Sequence, residues 1–177
     1  MRRRYAIIIS LAFATGAVQA QQSVLTRGAD LLAPFQRDLQ EALRRGLAQG
    51  PVEAMAACQL QAPDIARAHS RDGVRLGRAS DRLRNPLNVP PDWVRPILDA
   101  YLANPLDRAA RAVSLPGHQS GYVEPILLQP QCLTCHGDAL VSDVASRLRE
   151  LYPLDRATGF RVGDLRGVFW VAFPASE

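Results

Sequence analysis

Gly167-Val168-Phe169-Trp170-Val171-Ala172-Phe173 is the clearest strand in the sequence, because almost every residue in it is β-branched or aromatic. Gly159, Gly163 and Gly167 punctuate the approach to this run, as turns and bulges before a strand do. We therefore predict that the chain closes with a strand of a sheet over Gly167–Phe173.

Three earlier runs supply candidate neighbours for this strand. Ala112–Leu115 and Tyr122–Leu128 flank the turn-rich segment Pro116–Gly121, whose length is typical of a connection between antiparallel strands. Val74–Ser80 is short and alternates enough to form a further strand. These patterns predict an antiparallel sheet.

Helices precede and interrupt the predicted strands. From Leu25 to Ala48 the apolar residues recur at spacings of three and four, the period of an amphipathic helix. Similar arguments predict the helices Pro51–Gln61, Pro63–Ser70, Pro91–Ala103 and Val141–Leu151. Helices followed by strands, helices and a hairpin indicate an α+β fold and not a parallel doubly wound one.

The first twenty residues have the organisation of an export signal. Met1–Arg4 is positively charged, Tyr5–Val18 is apolar, and Val18-Gln19-Ala20 is a small-residue cleavage site. We expect cleavage after Ala20, a periplasmic location, and one domain over residues 21–177. The apolar run is shorter than the roughly 20 residues of a spanning helix, so we expect no membrane span after signal removal.

The charge pattern excludes one class of partner. The 177 residues include 21 basic and 17 acidic side chains, and every basic residue is an arginine. The arginines are spread along the chain without a basic run or interleaved aromatic residues, so the electrostatic footprint of a nucleic-acid binder is missing.

Cys132-Leu133-Thr134-Cys135-His136 is a C-x-x-C-H sequence, the attachment signature of haem c. In such a site both thiols add to haem vinyl groups and the adjacent histidine binds the iron. We therefore predict one covalent haem on Cys132, Cys135 and His136. The alternatives are a thioredoxin-like redox pair, which needs a βαβ unit, a zinc site, which needs four ligands, and a disulfide within the motif.

Four residues are candidates for the second axial position on the iron: Met55, Cys58, His69 and His118. Each also has a structural interpretation. Met55 fits an apolar core, His69 lies near a predicted helix end, and His118 lies in a predicted turn. Cys58 is equally compatible with a ligand and with an inert core cysteine, and a disulfide between two copies of the chain is a third possibility.

Several segments resemble a known family, the extracytoplasmic monohaem c-type domains with a PAS-like fold (Tll-like haem domains). These domains occur alone and as sensor inputs of membrane-bound signalling proteins. The segments that carry the resemblance lie in the same order as in the family: Ala57–Ala66, Gly77–Ser80, Leu83–Asn88, Cys132–Gly137 and Tyr152–Gly167.

The resemblance implies a PAS-like antiparallel sheet with N-terminal helices packed around the haem. It also implies that Cys58 is the distal ligand opposite His136. Arg78, Arg84 and Asn85 match family positions near the pocket, where charge-assisted hydrogen bonds could hold the haem propionates; surface solvation or turn capping are the alternatives.

The resemblance and the proposed thiolate ligand favour a redox or small-ligand sensor that acts through a separate partner. That partner would be a redox protein or a membrane-bound signalling protein. The alternative is a soluble periplasmic electron carrier. We do not expect an enzyme, because a six-coordinate iron leaves no open catalytic position.

Overall fold

The computed structural model describes residues 6–175, and its centre is one four-stranded antiparallel sheet in the order β1-β4-β3-β2. The strands are β1 (Arg75–Ala79), β2 (Arg111–Leu115), β3 (Gln119–Leu127) and β4 (Leu165–Phe173). The predicted α+β fold with an antiparallel sheet is confirmed, and the arrangement is consistent with a PAS-like fold.

Six α-helices surround the sheet in the described part of the chain: α1 (Ala6–Leu47), α2 (Pro51–Ala56), α3 (Ala62–His69), α4 (Arg95–Ala103), α5 (Leu133–His136) and α6 (Ser142–Leu151). The first helix begins well before the predicted Leu25, because the preceding alanines, leucines and isoleucines also tolerate helix. The positively charged start of the predicted signal, Met1–Arg4, lies outside the described residues, and cleavage after Ala20 stays a prediction. Within residues 6–175 no helix combines the length and apolarity needed to cross a membrane.

The last strand shows why the sheet is covered on both faces. Val168 packs with Leu98 of α4 on one face, whereas Val171 and Phe173 pack with Phe35 of α1 on the other. All five side chains are at most 1% exposed. Each fully buried apolar side chain of this size stabilises the fold by about 1.5–3 kcal/mol, so these two layers dominate the core.

The hairpin between β2 and β3 is tighter than predicted. Leu115 pairs with Gln119, which leaves only Pro116–His118 in the turn. Gly117 and His118 adopt left-handed backbone angles, with φ of 69° and 58°, and reverse the chain within this short connection.

The pairing of β3 with β4 shifts register between Ile126 and Leu127, which makes Arg166 an extra residue in β4. The next residue must be glycine, since Gly167 has a φ of 154° and a Cβ there would lie 2.2 Å from the carbonyl oxygen of Ala79. The bulge takes Arg166 out of the regular ladder at the end of the sheet.

Candidate functional site

Cys58 lies in a widened helical turn. The predicted helix Pro51–Gln61 is α-helical only as far as Ala56, and Ala57–Gln61 forms a π-helical turn that leads directly into α3. Pro63 follows this turn, lacks an amide hydrogen and crowds the carbonyl four residues earlier, which favours a wider turn before it. Single π-helical turns are frequent at functional sites.

The C-x-x-C-H motif follows β3 through a short 3₁₀ turn at Pro130–Cys132 and forms α5, Leu133–His136. Both of its thiols are free and partly buried, as is Cys58. Because the sheet is wholly antiparallel, the motif does not lie in the βαβ unit that a thioredoxin-like site requires. Within residues 6–175 no three His, Cys, Asp or Glu side chains gather to hold a metal ion, whereas a structural zinc site takes four ligands.

His136 is a neutral imidazole, and one of its two ring nitrogens donates a hydrogen bond. Its Nδ1 lies 2.6 Å from the carbonyl oxygen of Ala157. A carbonyl oxygen only accepts, so Nδ1 carries the proton and Nε2 keeps its lone pair. Burial, together with the positive charges of Arg84 and Arg166, lowers the pKa of His136 to about 3. The ring is therefore in the protonation state that coordination of a metal through Nε2 would need.

A buried ion pair holds the backbone to which His136 is hydrogen-bonded. Arg84 and Asp155 lie 2.9 Å apart, and both side chains are 10% exposed. Arg84 also donates to the carbonyl oxygens of Cys135, at 2.6 Å, and Ala157, at 3.2 Å. Asp155 in turn accepts from the backbone N–H of Ala157 at 2.8 Å. The carbonyl that orients His136 belongs to Ala157. The backbone of Ala157 is therefore held at both its N–H and its C=O group.

Two further arginines lie near this pair. Burial lowers the pKa of Arg78, and burial with the charges of Arg84 and Arg78 lowers the pKa of Arg166 to about 10. Arg166 donates to the Ser80 hydroxyl oxygen at 2.7 Å. The positive charges of Arg84, Arg166 and Arg78 all act to lower the pKa of His136.

Cys58 lies near the same groups. It acts electrostatically on Arg78 and contributes to raising the pKa of Cys135, for which burial is the main cause. Burial and Cys58 also raise the pKa of Tyr152, a residue only 8% exposed. The structure therefore brings Cys58 together with the motif. Met55, 3% exposed, packs in the cluster of Val144, Leu148 and Tyr152, against which Cys135 of the motif also packs.

The two remaining axial candidates lie elsewhere. His69 contacts Asp38 of α1 through Nε2 at 2.7 Å and packs against the edge of Phe35. His118 is exposed in the β2–β3 turn. Asn85 accepts from the backbone N–H of Leu87 at 2.9 Å, so its side-chain oxygen caps a turn.

The sequence analysis missed several residues of the site: Tyr152, Asp155, Ala157, Phe160 and Arg166. Phe160 packs edge-on to His136 with ring centroids 6.3 Å apart, and its backbone N–H donates to the His136 carbonyl. An aspartate two residues after a helix-ending proline is typical of a turn in which its side chain accepts from the backbone, and this signal could have identified Asp155.

Comparison with known proteins gives two matches. Residues 13–174 match the model of the Tll0287-like family. The fold is similar to the crystal structure of the cyanobacterial haem protein Tll0287, with 25% sequence identity and a TM-score of 0.58, over 82% of this chain and 94% of that one. No curated protein matches the chain.

Proposed function

Because the chain belongs to the Tll0287-like family, we propose that it is an exported haem-binding domain that carries one haem c on Cys132 and Cys135. His136 and Cys58 are the two axial ligands of this proposal. The similarity to a cyanobacterial haem protein supports the haem. Bound haem supplies one-electron redox chemistry and an iron coordination position.

The observation that carries the proposal is the state of His136. Its Nδ1–H is held by Ala157 and its Nε2 lone pair is free to bind metal, directly beside two thiols. A carbonyl partner on the second nitrogen is the usual support of a ligating histidine, because it fixes the tautomer and the ring orientation.

Cys58 is the second ligand because it shares the space of the motif, while His69 and His118 lie elsewhere. A thiolate on iron stabilises the ferric charge and lowers the reduction potential. Cys58 lies on the π-helical turn Ala57–Gln61, a feature frequent at functional sites, and a thiolate that left the iron on reduction would open a coordination position. This supports a redox or small-ligand sensor in the periplasm, acting through a redox or membrane-bound signalling partner.

Intact mass after expression with haem-attachment machinery tests the attachment. We expect one haem above the mass of the chain cleaved after Ala20. The matched variants are Cys132→Ala with Cys135→Ala, which should lose the covalent haem, and Cys58→Ser, which should keep it. A parent chain at bare peptide mass overturns the proposal.

The absorption spectrum of Cys58→Ser tests the axial ligand. Replacing the thiol should remove the thiolate-ligated low-spin ferric spectrum while the covalent haem remains. Met55→Leu is the control, since it conserves volume in the neighbouring core and should leave the spectrum unchanged. An unchanged ferric spectrum in Cys58→Ser would refute distal ligation.

A redox titration followed by carbon monoxide addition separates a sensor from an electron carrier. A sensor should lose the thiol on reduction and then bind carbon monoxide. A carrier should keep both axial ligands through repeated reduction and reoxidation. Retention of both ligands in the ferrous protein would overturn the sensor role and leave the carrier.

A further inference from the structure

The segment Ala157–Phe160 holds His136 by its backbone as well as by its ring. Besides the bond from Nδ1 to the Ala157 carbonyl, the backbone N–H of Phe160 donates to the His136 carbonyl at 2.9 Å. The N–H of Gly159 donates at 2.8 Å to the carbonyl of the residue that follows His136. The Phe160 ring packs edge-on against the imidazole, with 84° between the ring planes. The orientation of the imidazole therefore depends on the position of this segment.

Arg82 contacts the same part of the chain at three points. Its Nε donates to the Arg156 carbonyl at 3.0 Å, and its Nη2 donates to the Thr158 carbonyl. Its guanidinium lies over the face of the Phe160 ring, with Cζ 3.8 Å from the ring centroid. One planar group therefore binds two carbonyls that lie two residues apart and also covers the ring that contacts His136.

Arg82 is itself anchored to the sheet. Its backbone N–H donates to the Ser80 hydroxyl oxygen at 3.1 Å, and its carbonyl accepts from Arg166 Nη1 at 3.1 Å. Ser80 directly follows β1 and is 4% exposed, and its hydroxyl donates to the carbonyl of Arg166 in β4 at 2.8 Å. Arg82 therefore connects the segment that holds His136 to two neighbouring strands.

We propose that Arg82 is a positioning residue for His136, which fixes the plane of the imidazole and the strength of its Nδ1–H bond through the segment Ala157–Phe160. The inference rests on the proposed function and extends it to how the protein tunes the iron. A firm bond from Nδ1–H to a carbonyl raises the basicity of a ligating imidazole. A more basic ligand stabilises ferric iron and lowers the reduction potential.

The test is Arg82→Lys in the haem-loaded protein, with Arg156→Lys as the matched control. Lysine keeps the charge and can donate to one of the two carbonyls, but it loses the planar fork and the flat face over Phe160. The control makes the same chemical change at an exposed side chain of the neighbouring backbone. Intact mass reports haem attachment, electron paramagnetic resonance reports the ferric g values, which depend on the imidazole plane, and a redox titration reports the midpoint potential.

Arg82→Lys should keep the covalent haem, shift the ferric g values and raise the midpoint potential, because the Nδ1–H bond weakens while the charge is unchanged. Arg156→Lys should match the parent. The positioning role is refuted, and the haem proposal stands, if haem-loaded Arg82→Lys has the g values and potential of Arg156→Lys, or if its potential falls. A loss of unfolding free energy alone would not rescue the role. A parent chain without haem overturns the proposed function and this inference with it.

Phe160→Leu provides a second measurement should Arg82→Lys fail to mature. Leucine keeps an apolar side chain at this position but removes both the face under Arg82 and the edge against His136. The ferric g values should shift and the midpoint potential should rise, as in Arg82→Lys. Unchanged g values and potential in Phe160→Leu overturn the inference.

Discussion

The pentapeptide Pro-Leu-Asp-Arg-Ala occurs twice, at 105–109 after α4 and at 153–157 after α6. Both copies fold into the same turn. Asp107 and Asp155 each accept from the backbone N–H two residues later, at 3.1 and 2.8 Å. In each copy the final alanine carbonyl then accepts from a ring group, Tyr101 Oη at 2.5 Å or His136 Nδ1 at 2.6 Å.

The two turns differ in what surrounds them. Asp107 pairs with Arg111, a neighbour four residues along the chain, and Arg111 is 36% exposed. Asp155 pairs with Arg84, which comes from a distant part of the chain and is 10% exposed. The same turn therefore has a more exposed ion pair in the first copy. In the second copy it holds His136, the candidate iron ligand. Burial of the ion pair, and not the turn itself, distinguishes the copy beside His136.

Asp155→Asn gives the largest expected effect. Asparagine still accepts from the Ala157 N–H but leaves Arg84 buried without its anion, which should lower the free energy of unfolding by about 3 kcal/mol. Because Arg84 also binds the carbonyls of Cys135 and Ala157, the haem spectrum should change as well. Denaturant unfolding and absorption spectra of the haem-loaded protein measure both effects.

Asp107→Asn is the control for that substitution. It makes the same chemical change in the same turn, but water replaces the lost ion pair. We expect a much smaller change in unfolding free energy and an unaltered haem spectrum. Equal losses in the two variants would contradict the argument from burial.

The sequence predicted the sheet and the motif because their signals are local. The β-branched and aromatic content of Gly167–Phe173 and the spacing of Cys132, Cys135 and His136 need no knowledge of the fold. Cys58 required the family resemblance, since a single cysteine has no pattern.

The supporting residues of the site could not be predicted in the same way. Arg84 meets Asp155 across 71 positions, and Arg166 reaches Ser80 only because a β-bulge takes it out of the ladder. Such partners are defined by tertiary contacts. The starts of α1 and β3 were misplaced for another reason, since residues that tolerate helix or strand do not mark a boundary.

Tyr101→Phe should have an intermediate effect. It removes the hydroxyl that donates to Ala109 and keeps the ring, over which the Arg111 guanidinium lies 4.9 Å from the centroid. The loss of one hydrogen bond to a largely buried group should lower the free energy of unfolding by about 1 kcal/mol. The haem spectrum should not change, because this turn lies away from the motif. A spectral change would show that the two turns are coupled.

The leucines of the two turns should give the smallest effect. Leu106 is 91% exposed and Leu154 is 84% exposed. Leu106→Ser and Leu154→Ser should each change the free energy of unfolding by less than about 0.5 kcal/mol, because exposed side chains without partners contribute little. The comparison is sharpest in the haem-loaded protein. A loss above about 1 kcal/mol in Leu154→Ser alone would show that the turn beside His136 buries its leucine once haem is attached. The two turns would then share a backbone conformation but differ in the burial of their leucines.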